Sequence, residues 1–392
     1  MTKDERIQDI LQRGVKQVIH KKHLESLLKG RKKLRVKLGF DPTSPLIHIG
    51  NGATLLKLRA FQDLGHQVVI IVGDFTALIG DNSDKESERP MLSEKQVKEN
   101  IKTYFDQVFK ILDKTKTEAV YNSTWLKKLD FNEIGKLADQ FSVNEFISRE
   151  LIKKRLKAGK RVGLRELLYP LMQGYDSVAI RADVEIGGTD QLFNMLAGRT
   201  LQEYFKQSPQ DVLMIDLLLG ADGRKMSKSY GNTINILDDA QTMFGKAMTI
   251  KDELIEQYFV LATNIPQRQI EEIKKTHSNP RDQKLLLAHT LVELYHGRQG
   301  ADKAKENFIS QFSKKELPSD IPERKLKEGS YSLVDVLVEA NMVSSKSEAR
   351  RLIQQGGIRV NQEVVKSDKL LSVGKKNNLL IQVGKRKFLK IK

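Results

Sequence analysis

Two apolar stretches on either side of a glycine-opened helix constrain the fold more than any other feature of the chain. Leu34-Arg35-Val36-Lys37-Leu38-Gly39-Phe40 alternates and then hardens into a buried edge, and Val68-Val69-Ile70-Ile71-Val72 is a short continuous apolar run. Between them, Gly50 and Gly52 open a segment of helical period that runs through Leu64 and is ended by Gly65. Strand, helix and strand in this order read as a β-α-β crossover in a parallel sheet, fold class α/β. Pro42 and Pro45 keep the intervening loop extended, because each fixes its own φ and disfavours helix at the residue before it. The helix start then stands at the carboxyl end of the first strand. Its unpaired amides and its dipole make an anion site, and ligands of open α/β sheets bind in that crevice.

The pattern recurs downstream. Thr117-Glu118-Ala119-Val120-Tyr121 reads as a strand and residues 164–180 as a helix. Asp183-Val184-Glu185-Ile186 then reads as a strand leading into Gly187-Gly188-Thr189-Asp190-Gln191, a second strand–glycine–helix start. Residues 214–219 read as a last strand, leading to Gly223-Arg224-Lys225-Met226-Ser227-Lys228-Ser229. Two lysines three residues apart, with a serine on either side of the second, can crowd round a polyphosphate as flexible charges and hydroxyl donors. Alone, such a stretch reads as a solvated loop, and His48 alone reads as a structural histidine. Together, a glycine-rich helix start at His48 and a lysine loop favour phosphate chemistry. Asp81, in a loop after the second strand, reads either as a turn residue or as a partner for an ammonium group. Tyr169, Gln173 and Asp176 fall four and three apart, along one helical face. A polar row of this kind requires partners if it is buried.

Elsewhere the reading is coarser. Residues 4–29 are expected to form one amphipathic helix with Ile7, Ile10, Leu11 and Val15 on one face and Gly30 at its end. Residues 93–113 also read as helical. A basic helical insertion spans about 125–163 and suits a solvated face, a subunit interface or an RNA contact. From Asp238 the period is helical until Gly297, and residues 314–322 form a polar linker with two prolines. The 392 residues thus divide into 1–232, 233–320 and 326–392. The net charge of +17 is uneven, since residues 321–392 hold sixteen Lys and Arg against seven Asp and Glu. That patch points to a polyanion, with RNA the first candidate. The absence of cysteine excludes disulfides and thiolate zinc sites and fits a reducing cytosol. The longest apolar run is too short for a membrane span. A charged start, Met1-Thr2-Lys3-Asp4-Glu5-Arg6, argues against a secretory leader and for a cytoplasmic protein.

Gly39-Phe40-Asp41-Pro42-Thr43-Ser44-Pro45-Leu46-Ile47-His48-Ile49-Gly50-Asn51 and the lysine loop together resemble the H-I-G-H and K-M-S-K-S signatures of class I aminoacyl-tRNA synthetases. Tyr169-Pro170-Leu171-Met172-Gln173-Gly174-Tyr175-Asp176 and Gly188-Thr189-Asp190-Gln191 narrow the resemblance to the bacterial tyrosyl-tRNA synthetases. The end of the chain resembles the S4-type RNA-binding module, a basic helix carrying Arg350 and Arg351 followed by Gly-x-x-x-x-Asn at Gly356 and Asn361.

The resemblance implies a Rossmann-type catalytic domain with an insertion, an α-helical anticodon-binding domain, a small α+β S4-like domain and a homodimer. It implies tyrosine, ATP carrying Mg²⁺, and tRNA(Tyr) as substrates. It places Lys37, Asp81, Tyr169, Gln173, Asp176 and Gln191 on tyrosine, with Asp176 accepting the phenolic hydroxyl. Asp41, Thr43, His48, Gly50, Gly188, Asp190, Lys225, Met226, Ser227, Lys228 and Ser229 fall on ATP. His48, Asn51, Lys225 and Lys228 become the catalytic donors, and Arg350 and Arg351 contacts to tRNA. Two departures stand out. Asn51 replaces the second His of H-I-G-H, and Lys37-Leu38 replaces the Tyr-Cys that many members carry, the Tyr being the second contact to the phenol. A synthetase for another amino acid, a nucleotidyltransferase with the same loops, and a non-catalytic RNA-binding protein remain open alternatives.

Overall fold

The structure is a computed structural model that describes residues 1–81, 91–227, 230–313, 321–324, 326–373, 379–384 and 387–391. Lys228, Ser229 and the linker residues 314–320 lie outside the described residues. The chain forms two compact units, Met1–Glu306 and Asn307–Lys392.

The first unit is built on a six-stranded sheet. Its strands are β1 (Val15–Ile19), β2 (Arg35–Phe40), β3 (Gln67–Val72), β4 (Thr117–Tyr121), β5 (Val184–Gly188) and β6 (Asp211–Ile215), in the order β1-β6-β5-β2-β3-β4. All neighbours pair in parallel except β1 and β6. The expected crossover is present, with Val36 opposite Val68 and Phe40 opposite Val72. From β2 the chain moves outward through β3 to β4, then returns to lay β5 on the other side of β2. The strand order therefore reverses between β2 and β5, where open sheets of this class bind ligands. Only two residue pairs join these strands, Val36 with Val184 and Lys37 with Glu185.

The N-terminal segment differs from expectation. It forms a helix at Lys3–Gln12, the strand β1, and a second helix at Lys21–Lys29. Gly14 at φ +62° stops the first helix, and Val15, Val18 and Ile19 have the branched side chains that suit a strand. Residues 93–113 likewise form two helices, Glu94–Ile101 and Tyr104–Val108. The last strand begins at Asp211, earlier than expected, and its run of buried residues ends at Ile215. The helix expected over 164–180 is present with those bounds, Leu164–Ile180, and keeps Pro170 within it.

The Ile49–Asp63 helix is buried along most of its length, through Ile49, Leu55, Leu58 and Phe61. Its buried Lys57 ammonium donates to the carbonyls of Asp9, Ile10 and Arg13 at 3.0, 3.1 and 2.8 Å. Burial pushes that amine down to about 7. The lysine closes the carboxyl end of the first helix, sharing the Asp9 carbonyl with the Arg13 amide, and so fixes the N-terminal segment to the helix that opens the site. From Ala240 the unit is helical, and Tyr258 donates its hydroxyl to the Leu219 carbonyl at 2.7 Å, just before the lysine loop. Gly297, at φ +76°, breaks the long final helix.

The second unit holds helices Leu333–Glu339 and Lys346–Gln354 against a five-stranded sheet. Its own core includes Leu333, Leu337, Ala349, Ile353, Ile358, Ile381 and Ile391. Ser332 and Ser345 cap the two helices, accepting the amides of Asp335 and Glu348.

Candidate active site

His48 is the N-cap of the Ile49–Asp63 helix, and its Nδ1 accepts the Asn51 amide at 3.4 Å. A Cβ on Gly50 would stand 2.9 Å from that ring nitrogen and 3.5 Å from Met226 Sδ. The glycine is therefore favoured by the close approach of the His48 ring, while Met226 stands at ordinary contact distance. Residues just after the lysine loop are tied in. Ile49 donates to the Ile234 carbonyl and Ile236 donates to the Ile47 carbonyl, both at 2.9 Å. Asn232 closes the loop at its base. Its Oδ1 accepts the Ser227 amide at 2.8 Å, while its Nδ2 donates to Asp222 Oδ1 at 2.8 Å and to the Lys225 carbonyl at 3.2 Å. The Asn232 bond, followed by those from Arg224, holds the Asp222 carboxyl down at about 2. Met226 is buried and Lys225 is exposed. The two motifs expected on phosphates thus meet through Gly50 and Met226, with Lys225 facing outward. Thr43 is exposed as well, in a loop braced by Asn100 and Thr103, which donate to the carbonyls of Pro42 and Pro45 at 2.8 and 2.6 Å.

A hydrogen-bonded chain runs across the carboxyl ends of β2, β3 and β4. Tyr169 donates to Asp41 Oδ2 at 2.8 Å, and Thr76 donates to Asp41 Oδ1 at 2.7 Å. Asn122 donates to Thr76 Oγ1 at 2.9 Å and to Asp176 Oδ2 at 3.3 Å. The indole of Trp125 donates to Asp176 Oδ1 at 2.7 Å. Burial raises the Asp176 carboxyl to about 7, against the opposing pull of the Lys37 charge and these two donors. Burial also raises the Tyr169 phenol well above its ordinary value, reinforced by Asp41. A third group joins Asp81, whose Oδ2 accepts from Gln191 at 2.8 Å, to Asn194, which donates to Gln191 Oε1 at 3.0 Å. Gly188 lies beside Asp190, where a Cβ would come within 2.6 Å of Asp190 Oδ1.

Comparison with known proteins fits this geometry. Residues 29–313 match the family described as tRNA synthetases class I (W and Y), and residues 332–375 match the S4 domain. The chain belongs to that class I family. Tyrosine–tRNA ligases are among its similar relatives. That of Carboxydothermus hydrogenoformans is 48% identical, covering 98% of this chain and 97% of the relative. That of Thermotoga maritima is 46% identical, covering 100% and 98%. Among solved structures, the tyrosyl-tRNA synthetase of Archaeoglobus fulgidus complexed with L-tyrosine is 21% identical with a TM-score of 0.62, covering 78% of this chain and all of that one. A truncated mitochondrial tyrosyl-tRNA synthetase from Aspergillus nidulans gives a TM-score of 0.66 at 20% identity, over 78% and 94%. At such identities the structural likeness speaks for the fold.

Within the class I synthetase site, Asp41 stands against Tyr169 and Thr76, on the side where the tyrosine contacts were expected. Lys37 has no exposed surface, and its ammonium meets Ser177, Gln173 and Glu185 in the interior, so it lies beneath the crevice and not in it. Sequence reasoning passed over Thr76, Asn122, Trp125, Asn194 and Asn232. Trp125 is the chain's one tryptophan and lies four residues past a strand end, which was a usable signal. The others are ordinary polar residues in the sequence and acquire meaning only from their partners.

Proposed function

We propose that this class I synthetase is a tyrosine–tRNA ligase whose tyrosine pocket lies above β2 and β5, with the Leu164–Ile180 helix as one wall. The observation that carries the reading is Asp176, buried and held at both oxygens by Trp125 and Asn122. An anchored, buried carboxylate suits a phenolic hydroxyl and leaves phenylalanine, which lacks one, at a disadvantage; tyrosine selection by a tyrosyl synthetase is itself the general example of this logic. Gly39 supports the pocket, since it is exposed at the carboxyl end of a central strand and a Cβ there would meet nothing within 4 Å. Asp81, Gln173 and Gln191 serve the ammonium and carboxylate of the amino acid, and Asp190 the ribose of ATP.

The tyrosine carboxylate attacks the α-phosphorus of ATP in line and pyrophosphate leaves. The 3′-terminal ribose hydroxyl of tRNA then attacks the carbonyl of the tyrosyl adenylate and AMP leaves. Neither step needs a protein nucleophile, so positioning and charge stabilisation carry the chemistry. His48, Asn51, Lys225 and Lys228 supply donors to the phosphates, Thr43 adds a hydroxyl, and ATP arrives with Mg²⁺. Exposed Arg350 and Arg351 suit phosphate contacts from the second unit, and the helical segment 233–320 suits the anticodon. Phe131, Val143 and Leu156, exposed in the helices of the insertion, and Leu164, exposed at the start of the next helix, support a homodimer. Among the described residues no helix is long and apolar enough to cross a membrane, and the lack of cysteine supports a cytoplasmic site of action. The test is ATP–pyrophosphate exchange across a panel of amino acids. Exchange dependent on tyrosine is expected, and exchange driven better by tryptophan or phenylalanine would overturn the assignment.

A further inference from the structure

Lys37 and Glu185 face each other across β2 and β5, where the strand order reverses. Their side chains are 0% and 2% exposed and their charges are 3.0 Å apart. The Lys37 ammonium also donates to Ser177 Oγ at 2.7 Å and to the Gln173 carbonyl at 2.9 Å. Three acceptors match its three donors. Glu185 is saturated too, accepting from Gln173 Nε2 at 3.0 Å, from Ser177 Oγ at 3.3 Å, and from Gln210. The pair therefore grips Gln173 by main chain and side chain, and Ser177 by its hydroxyl. Asp176 sits between those two residues. A buried ion pair is a weak source of net stability, and a sequence indifferent to charge here would do as well with apolar residues. The site supplies a stronger reason. Lys37 contributes the positive charge that opposes the cost of burying the Asp176 carboxylate, and it does so more than either hydrogen bond. Glu185 and Tyr169 are the other titratable groups facing Asp176 among the described residues, with Trp125 and Asn122 as its donors.

We propose that the Lys37–Glu185 pair is a specificity-determining positioning element of the tyrosine pocket: it pins the helix on both sides of Asp176 and supplies the cation that keeps Asp176 an acceptor for the substrate hydroxyl. Lys37 acts through Asp176 and Gln173, without touching the substrate. The inference rests on Asp176 as the phenol acceptor.

The test uses the full chain with Lys37→Gln and Glu185→Gln combined, which keeps bulk and hydrogen bonding and removes both charges. ATP–pyrophosphate exchange is measured from pH 6 to 9 with tyrosine and with phenylalanine. The KM for tyrosine and the loss of tyrosine-over-phenylalanine preference should each change roughly tenfold, and the acid limb of kcat/KM for tyrosine should move up by less than about one pH unit, because Lys37 lowers the Asp176 carboxyl more than Glu185 raises it. The KM for ATP should stay within about twofold, since the phosphate motifs are left alone. Parental tyrosine KM, preference and acid limb in the folded double variant would overturn the proposal. So would equal losses for tyrosine and ATP, which mark a merely structural pair. If the double variant does not fold, Ser177→Ala removes one tie and leaves both charges. It should raise the tyrosine KM a few-fold without moving the acid limb, and an unchanged KM would overturn the proposal. Asp176→Asn, run alongside, separates the two readings. If it keeps the parent's preference for tyrosine, the acceptor assignment itself fails. If it loses that preference while the charge-free pair does not, only the role of Lys37 fails.

Discussion

The indole N–H of Trp125 lies 2.7 Å from Asp176 Oδ1, and this bond joins the end of β4 to the helix that walls the pocket. Trp125→Phe deletes the donor and keeps most of the bulk. A hydrogen bond to a charged group contributes about 1.5–3 kcal/mol. The variant should therefore raise the tyrosine KM by roughly tenfold or more, while its KM for ATP stays close to the parent's. Initial-rate exchange kinetics check this, and an unchanged tyrosine KM would show that Asn122 alone holds the carboxylate.

The Asp176 carboxyl should also leave a mark on stability. Its value rises from 3.8 to about 7 on folding. Between those values the folded protein binds a proton that the unfolded chain has released. Stability from this group is thus present at low pH and declines as pH rises toward about 7, at most roughly 1.4 kcal/mol per pH unit. Asp176→Asn abolishes that decline. Without substrates, its melting temperature relative to the parent should be higher at pH 8 than at pH 5. The opposite trend would mean that the carboxylate is stabilised by its setting.

Gly50→Ala tests the meeting of the two phosphate motifs. The added Cβ would stand 2.9 Å from His48 Nδ1 and 3.0 Å from Cε1, so the imidazole must turn away. Alanine favours helix over glycine by about 1 kcal/mol, so stability should hold while single-turnover adenylate formation slows by at least tenfold. A variant as active as the parent would show that the His48 orientation seen here is not the working one.

Asn232→Ala unties Ser227, Asp222 and the Lys225 carbonyl in one step. The lysine loop would then have to be ordered at the transition state, which lowers kcat more than it changes tyrosine binding. Lys225→Ala should shift the same parameters further, because it removes charge from developing anionic oxygens. Equal effects of the two variants on tyrosine KM and kcat would argue against a loop that acts on the phosphates.

The crossover around His48 was legible because Val68-Val69-Ile70-Ile71-Val72 and the glycines of the helix start are strong local signals. The N-terminal segment was not, since the hydrophobic face of Ile7, Ile10 and Leu11 continues in register to Val15, and only Gly14 marks the break. Tyr169, Gln173 and Asp176 were legible as a row, but their partners were not. Thr76 and Asn122 reach Asp41 and Asp176 from strand ends 35 and 54 residues away in sequence. Lys37 illustrates the limit best. Its place in the motif suggested a substrate contact, whereas its surroundings are set by Ser177 and Glu185, which no local pattern connects to it.

In the second unit, Arg350 and Arg351 are exposed on the Lys346–Gln354 helix, and neighbouring Arg359 is exposed on the following strand. Changing both arginines to glutamine in the full chain leaves the core formed by Ala349 and Ile353 intact. Each lost phosphate contact should make the log–log dependence of RNA affinity on salt shallower by roughly 0.7 to 0.9. The double variant should therefore bind tRNA more weakly at low salt, converge with the parent as salt rises, and charge tRNA more slowly at limiting tRNA. Tyrosine-dependent pyrophosphate exchange should be unaffected, because every group assigned to that step lies in the first unit. A loss of exchange would point to damage beyond the RNA surface. An unchanged salt slope would remove these two arginines from the tRNA contact and leave the polyanion role to the remaining cations of the unit.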